Sequence, residues 1–130
     1  MSWEDFDKSC AALCIWREGR GEGHDGMRAV AHVINNRAIA QKKSWAQIVY
    51  ARLQFSSMTY WNDPQLTNVP VVPDPQFADA WQIVEAVAAG TDDDLTQGAT
   101  SYYATTIEPP AWAESMTKTV QIGRQIFYKS

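Results

Sequence analysis

The hydrophobic period of this chain changes once, near its ninety-eighth residue. Before that point apolar residues recur three and four apart, which is the repeat of a helix. After it, Ala99–Thr105 and Thr117–Tyr128 are rich in Thr, Tyr, Ile and Val, residues that suit a pleated strand. Helical and strand patterns that occupy separate stretches give an α+β protein; alternating patterns would have given a parallel sheet. The expected architecture is mostly α: a helical body of roughly ninety residues followed by a small C-terminal antiparallel β-lobe, with a groove between them.

Within the body four helices are predicted. Residues 3–18 start with a Ser2-x-x-Asp5 capping box, and Phe6, Cys10, Leu13 and Cys14 make the apolar stripe. Gly19, Gly21 and Gly23 end that helix. Asp25 is expected to cap the second, whose stripe is Met27, Val30, Ala31, Ile34 and Ala38. Ser44 and Gln47 box the start of a third, carrying Ile48 and Val49. Residues 54–73 read as irregular because of Asn62-Asp63-Pro64, Pro70 and Pro73. Asp74-Pro75 opens a fourth helix, with Phe77, Trp81, Val84 and Ala88 on one face and Gly90 as its stop. In the lobe, Gly123-Arg124 between two apolar runs predicts a hairpin, and Glu108–Trp112 a loop.

Length and charge narrow the classes. The 130 residues suit one domain, spanning 1–130, that buries roughly two thirds of its unfolded surface without needing disulfides or metal. Forty-five per cent hydrophobic and 20% charged residues exclude a disordered chain, and a net charge of −4 argues against nucleic acid. No apolar stretch reaches the roughly 18 residues of a membrane span, so no membrane insertion is expected. The acidic start, Ser2 to Lys8, lacks the positive charge of a secretory signal. Cys10 and Cys14 read as reduced, buried, small apolar residues. Six Trp, five Tyr and four Phe are an unusual number for 130 residues; most read as core material, but flat aromatic faces can also stack on sugar rings.

The densest polar constellation is Trp16-Arg17-Glu18-Gly19-Arg20-Gly21-Glu22-Gly23. Glu18 falls at the negative end of the first helix, and desolvation beside Trp16 would favour its protonated form, whereas pairing with Arg17 or Arg20 would favour the carboxylate. A solvated Glu–Arg turn closed by glycines is the plain alternative for the same residues. His32 reads as a helix-face residue, and Asp92-Asp93-Asp94 as a solvated loop without the spacing of a calcium site. No Gly-x-Ser-x-Gly or His-Glu-x-x-His occurs, so serine-hydrolase and zinc-protease chemistry has no support.

These residues carry a resemblance. Ile15-Trp-Arg-Glu18-Gly-Arg-Gly-Glu22-Gly, followed by Gly26-Met-Arg-Ala-Val-Ala-His-Val-Ile-Asn-Asn-Arg37, resembles the signature of the SleB-type cell wall hydrolases, which include spore cortex-lytic enzymes and phage lysins. Gln54-Phe55-Ser56, Gly98-Ala-Thr100 with Tyr102, and Pro109-Pro-Ala-Trp112 leading to Ile122-Gly-Arg-Gln-Ile-Phe-Tyr128 match in the same order. The resemblance implies a lysozyme-like fold and cleavage of peptidoglycan between N-acetylmuramic acid and N-acetylglucosamine, by a lytic transglycosylase or a muramidase. It places Glu18 at the catalytic glutamate. Glu22 matches the second acid, expected to orient the loop through Arg20 or the Glu18 side chain. Gln54 and Ser56 become candidate partners of sugar hydroxyls or of Glu18. Tyr102 and Tyr103 should face opposite ways, one to the groove and one to the core, and Trp112 is a candidate groove wall. Two departures stand out: Ser101 and Tyr103 occupy positions where many members carry histidine, and Gly19 replaces the usual alanine.

The resulting expectation is an enzyme needing no cofactor and no metal. It acts as a monomer on bacterial peptidoglycan, as a phage or prophage endolysin made in the host cytoplasm and reaching the wall after release. Arg17, Arg20, Arg28 and Arg37 would steer it to an anionic wall. A non-catalytic peptidoglycan-binding module is the alternative, and a peptidoglycan amidase a weaker one.

Overall fold

The computed structural model describes residues 2–51 and 54–130. Helix α1 (Trp3–Gly19) begins with the predicted capping box: the Ser2 hydroxyl accepts from the Asp5 N–H at 3.0 Å, and Asp5 accepts from the Ser2 N–H at 3.4 Å. Its apolar stripe is wider than the sequence suggested and rotated from it. Phe6 is exposed, whereas Cys10, Ala11, Ala12, Cys14, Ile15 and Trp16 are buried, because α1 is covered on several sides by other helices. Both cysteines are free and buried, and burial pushes the Cys14 thiol well above its ordinary value.

The glycines after α1 produce a tight turn in which two helices nearly touch. A single 3-10 turn, Arg20–Glu22, leads directly into α2 (Gly23–Gln41), which Gly23 enters at φ +77°. Asp25 therefore does not cap α2. The helix starts two residues earlier, and Asp25 lies in its first turn, paired with Arg28 at 3.0 Å. The bend brings backbone to backbone: a Cβ on Gly19 would lie 3.0 Å from the Met27 Cα, and one on Gly26 would lie 2.4 Å from the Glu22 Cβ.

Helix α3 (Trp45–Val49) has the predicted Ser44/Gln47 box and is tied to α1 by Asp7, which accepts from the N–H groups of Trp45 and Ala46. The stretch read as irregular holds a one-turn helix, α4 (Ser56–Thr59), and a 3-10 turn at Pro64–Thr67. Elements this short leave no periodic signal. Helix α5 (Pro75–Ala89) starts at the Asp74 cap and stops at Gly90 in the left-handed conformation, as predicted. Its buried face is Ala80, Ile83, Val84 and Val87, and Ala88 is exposed.

Strands β1 (Ser101–Ala104), β2 (Thr117–Ile122) and β3 (Gln125–Lys129) form an antiparallel sheet in the order β1-β3-β2. Gly123-Arg124 makes the predicted hairpin, with Gly123 at φ +58° in the position where such a turn takes glycine. The protein is mostly α with a small C-terminal antiparallel sheet. One face of α2 enters the helical core with α1, α3 and α5. Ala29 and Val33 on α2 pack instead with Ala99 and Phe127 of the lobe. Tyr102 packs against both clusters.

Two of the three acids before the lobe, Asp92 and Asp94, are not solvated as expected, whereas Asp93 is exposed. Asp92 accepts from Arg28 Nε at 3.0 Å and is bonded to buried His32 Nε2 at 2.6 Å. Asp94 accepts from Thr96, Gly98 and Asn36. Burial works to raise both carboxyls, but these hydrogen bonds outweigh it and hold both below the ordinary carboxylate range. The sequence shows three like charges and not the α2 side chains that meet them sixty residues away.

Candidate active site

Glu18, on the last turn of α1, lines a cleft of about 240 Å³ together with Gly21, Glu22, Ala104, Thr106, Arg124 and Gln125. The cleft lies where the end of the helical body meets β1 and the β2–β3 hairpin. Glu18 is half-buried, and the Tyr102 hydroxyl donates to its Oε1 at 2.9 Å. Burial, with the nearby Glu18 charge, pushes the Tyr102 phenol well above its ordinary value, so the hydroxyl remains a donor through the neutral range. Trp16 is buried.

Neither flanking arginine pairs with Glu18. Arg17 donates to the carbonyls of Asn68 and Ser57, each at 3.0 Å. Arg20 lies 3.9 Å over the Trp16 ring and donates to Trp16 O and to Gln65 Oε1, both at 2.8 Å. Both are turned to the 57–68 segment, which they fasten to the end of α1. Arg17, Arg20, Arg28 and Arg37 are all half-buried and hydrogen-bonded within the fold.

Glu22 is held by a different route from the one expected. It accepts from the Arg124 backbone N–H and Nε at 3.1 Å, and Nη2 reaches its other oxygen at 3.3 Å. Arg124 hydrogen-bonds to this carboxyl and, against some desolvation, holds it below the ordinary carboxylate range. Glu22 thus fastens the hairpin turn to the 3-10 turn after α1. Arg20 takes no part, its side chain being committed to Trp16 and Gln65.

The other predicted residues do not all converge on Glu18. The Ser56 hydroxyl donates to Asp63 Oδ2 at 2.6 Å and is exposed. Gln54 is exposed and its side chain makes no hydrogen bond among the described residues. Tyr102 and Tyr103 do point opposite ways. Tyr103 stacks on Tyr128 with centroids 5.7 Å apart, and Trp112 meets both rings edge-on at 5.9 and 5.5 Å. Trp112 stands in a 3-10 turn, Ala111–Ser115, where an open loop was expected.

Comparison with known proteins decides the family. The cell wall hydrolase family model matches residues 21–128, most of the chain. The chain belongs to the cell wall hydrolase family. Two solved structures are similar over nearly the whole chain. One is the catalytic domain of the germination-specific lytic transglycosylase SleB from Bacillus anthracis, with a TM-score of 0.75, 24% identity, and 99% of this chain and 97% of that one covered. The other is the catalytic domain of the Bacillus cereus SleB protein, with a TM-score of 0.75, 24% identity, and 99% and 92% covered. These likenesses establish the fold. No curated protein matches the sequence.

In this cell wall hydrolase three side chains make contacts that the sequence reading did not assign. Arg124 was read only as a turn residue, and it is the exposed cation of the cleft. Tyr128 completes the aromatic cluster, and strand alternation from Phe127 would have placed it on the face opposite the core. Arg37 is half-buried, its guanidinium carbon 4.9 Å over the Phe55 ring. Burial pulls it below its ordinary value, and Tyr102, Cys14 and Glu18 work against that.

Proposed function

We propose that the protein cleaves peptidoglycan glycan strands between N-acetylmuramic acid and N-acetylglucosamine as a lytic transglycosylase, with Glu18 as the single acid–base group. The observation that carries this is the contrast within one cleft. Glu18 has a neutral phenol as its hydrogen-bond partner, whereas Glu22 is committed to a guanidinium.

Glycoside cleavage needs an acid on the leaving oxygen and stabilisation of an oxocarbenium-like transition state. Protonated Glu18 gives its proton to the glycosidic oxygen as the bond to muramoyl C1 breaks. The resulting carboxylate then takes the proton of the muramoyl 6-hydroxyl while O6 bonds to C1, which closes a 1,6-anhydro ring and restores the acid. Tyr102 keeps the carboxyl oriented through both steps. A hydrolase would use a second free carboxylate to activate water or attack the sugar. The charge-paired Glu22 is poorly suited to that task, which favours the anhydro route over a muramidase. The two solved proteins of the same fold are named lytic transglycosylase and SleB, which agrees with this reading.

Mass spectrometry of sacculus digests tests it: 1,6-anhydromuramoyl ends are expected, and only reducing ends would assign a muramidase. A folded protein that binds sacculi but releases no muropeptides would show the non-catalytic module instead. The endolysin expectation has its own assay, lysis of cells that make the protein together with a membrane-permeabilising protein.

A further inference from the structure

The Asn36-Arg37 pair closes the longest motif of the sequence, and the cleft residues leave it without a role. Both side chains point from α2 to the segment entering the lobe. Asn36 Nδ2 donates to Asp94 Oδ2 and to Ala99 O, each at 2.9 Å. Arg37 Nε donates to Thr100 O. Two consecutive carbonyls, the last before β1, are thus gripped by two consecutive helix residues. From the other side, the Thr100 N–H donates to Tyr128 O at 2.9 Å, so residue 100 is fixed between α2 and β3. Tyr102 stands two residues further on and therefore on the same face of the strand. Its hydroxyl is the one on Glu18.

An apolar residue at 37 could fill the space against Phe55 without the cost of burying a charge. What it could not provide is a directional donor to a carbonyl. The arginine here makes that bond and lies near Tyr102, Cys14 and Glu18, while its Nη1 is buried without a partner among the described residues.

We propose that Asn36 and Arg37 are positioning residues for the Glu18 reaction: they clamp the carbonyls of Ala99 and Thr100 and so hold the Tyr102 hydroxyl on the Glu18 carboxyl. The inference rests on Glu18 being the acid–base group. Small displacements at a reacting group are expensive, since a misplacement near 1 Å can cost about a hundredfold in rate.

The test is a cycle of variants assayed for kcat and KM on soluble glycan strands, with thermal unfolding followed in parallel. Arg37→Met and Tyr102→Phe should each lower kcat by about tenfold to a hundredfold while KM changes by less than about threefold. The double variant should be no more than about twofold worse than Tyr102→Phe alone, because the clamp acts through that hydroxyl. A merely structural role would instead make the kcat losses multiply, and multiplied losses, a loss in KM alone or an unchanged kcat would overturn the proposal. Should Arg37→Met melt below the assay temperature, Asn36→Ala runs through the same cycle with the same criteria. Glu18→Gln separates the two readings. If it stays active, the acid–base assignment and the clamp both fall. If it is dead while the cycle is multiplicative, only the clamp falls.

Discussion

Two glutamates stand four residues apart on either side of a glycine bend, and the fold treats them in opposite ways. Glu18 ends a long helix, sits half-buried, and meets a phenol whose proton is held fast by burial. Glu22 belongs to the following 3-10 turn and is wrapped by the side chain and backbone of Arg124 from the far hairpin. A neutral partner lets a carboxyl change protonation state without breaking an ion pair, whereas a guanidinium commits it to the charged form. One carboxyl is thereby left available for proton transfer, and the other becomes a fastener between body and lobe.

The sharpest break of that comparison is to remove each charge in turn while keeping its shape. Glu18→Gln should lower the rate of muropeptide release by about a hundredfold to ten-thousandfold, the usual contribution of a positioned acid–base group, with the melting temperature little changed. Glu22→Gln should stay within about tenfold of the parent rate and instead lose stability. The reverse pattern, with the larger rate loss at Glu22, would exchange the two roles.

Next in size is the spacing between them. Gly19 and Gly26 let α1 and α2 approach so closely that a methyl group on Gly19 would lie 3.0 Å from the Met27 Cα and 3.1 Å from the Gly26 carbonyl. Backbone atoms cannot yield as a flexible side chain would. Gly19→Ala should therefore cost about 1–3 kcal/mol by overpacking, read as a lower midpoint in denaturant. The resemblance gives alanine as the ordinary occupant of this position. At this crossing glycine is the tight-packing choice, and an unperturbed alanine variant would show that the helices have room to separate.

The same contrast marks what the sequence made legible. Helix starts were readable at Ser2, Ser44 and Asp74, because a capping side chain acts on a backbone group three residues away. The change from helical to strand period located the lobe, and Gly123 its hairpin. Glu18 stood out through the resemblance, and its cleft position is a matter of one helix end. The partners were not readable. Arg124 on Glu22, Tyr102 on Glu18, and His32 with Arg28 on Asp92 join positions between 60 and 102 residues apart. Nothing local in the chain encodes such pairs. They appear only after α2 has been packed between the helical core and the sheet, so reading charges from their neighbours sent Glu22 to Arg20 and Asp92 to solvent.

The smallest effect should come from the fastener's own chemistry. Arg124 holds Glu22 below the ordinary carboxylate range, so folding gains from the pair at every pH above that range. The gain is lost as pH falls through the lowered value of the folded state, where Glu22 takes up its proton and the pair dissolves. Arg124→Ala removes the side-chain part of that gain at all pH values and leaves the backbone N–H bond to Glu22. The melting temperatures of the parent and Arg124→Ala should therefore differ by a constant margin from neutrality down to the ordinary carboxylate range, then converge as the pH is lowered further. Arg124 is 69% exposed, so the margin is small and should shrink with added salt as well. Convergence at low pH is the signature that Glu22 is held by charge, and a margin that persists unchanged below the ordinary carboxylate range would break that reading.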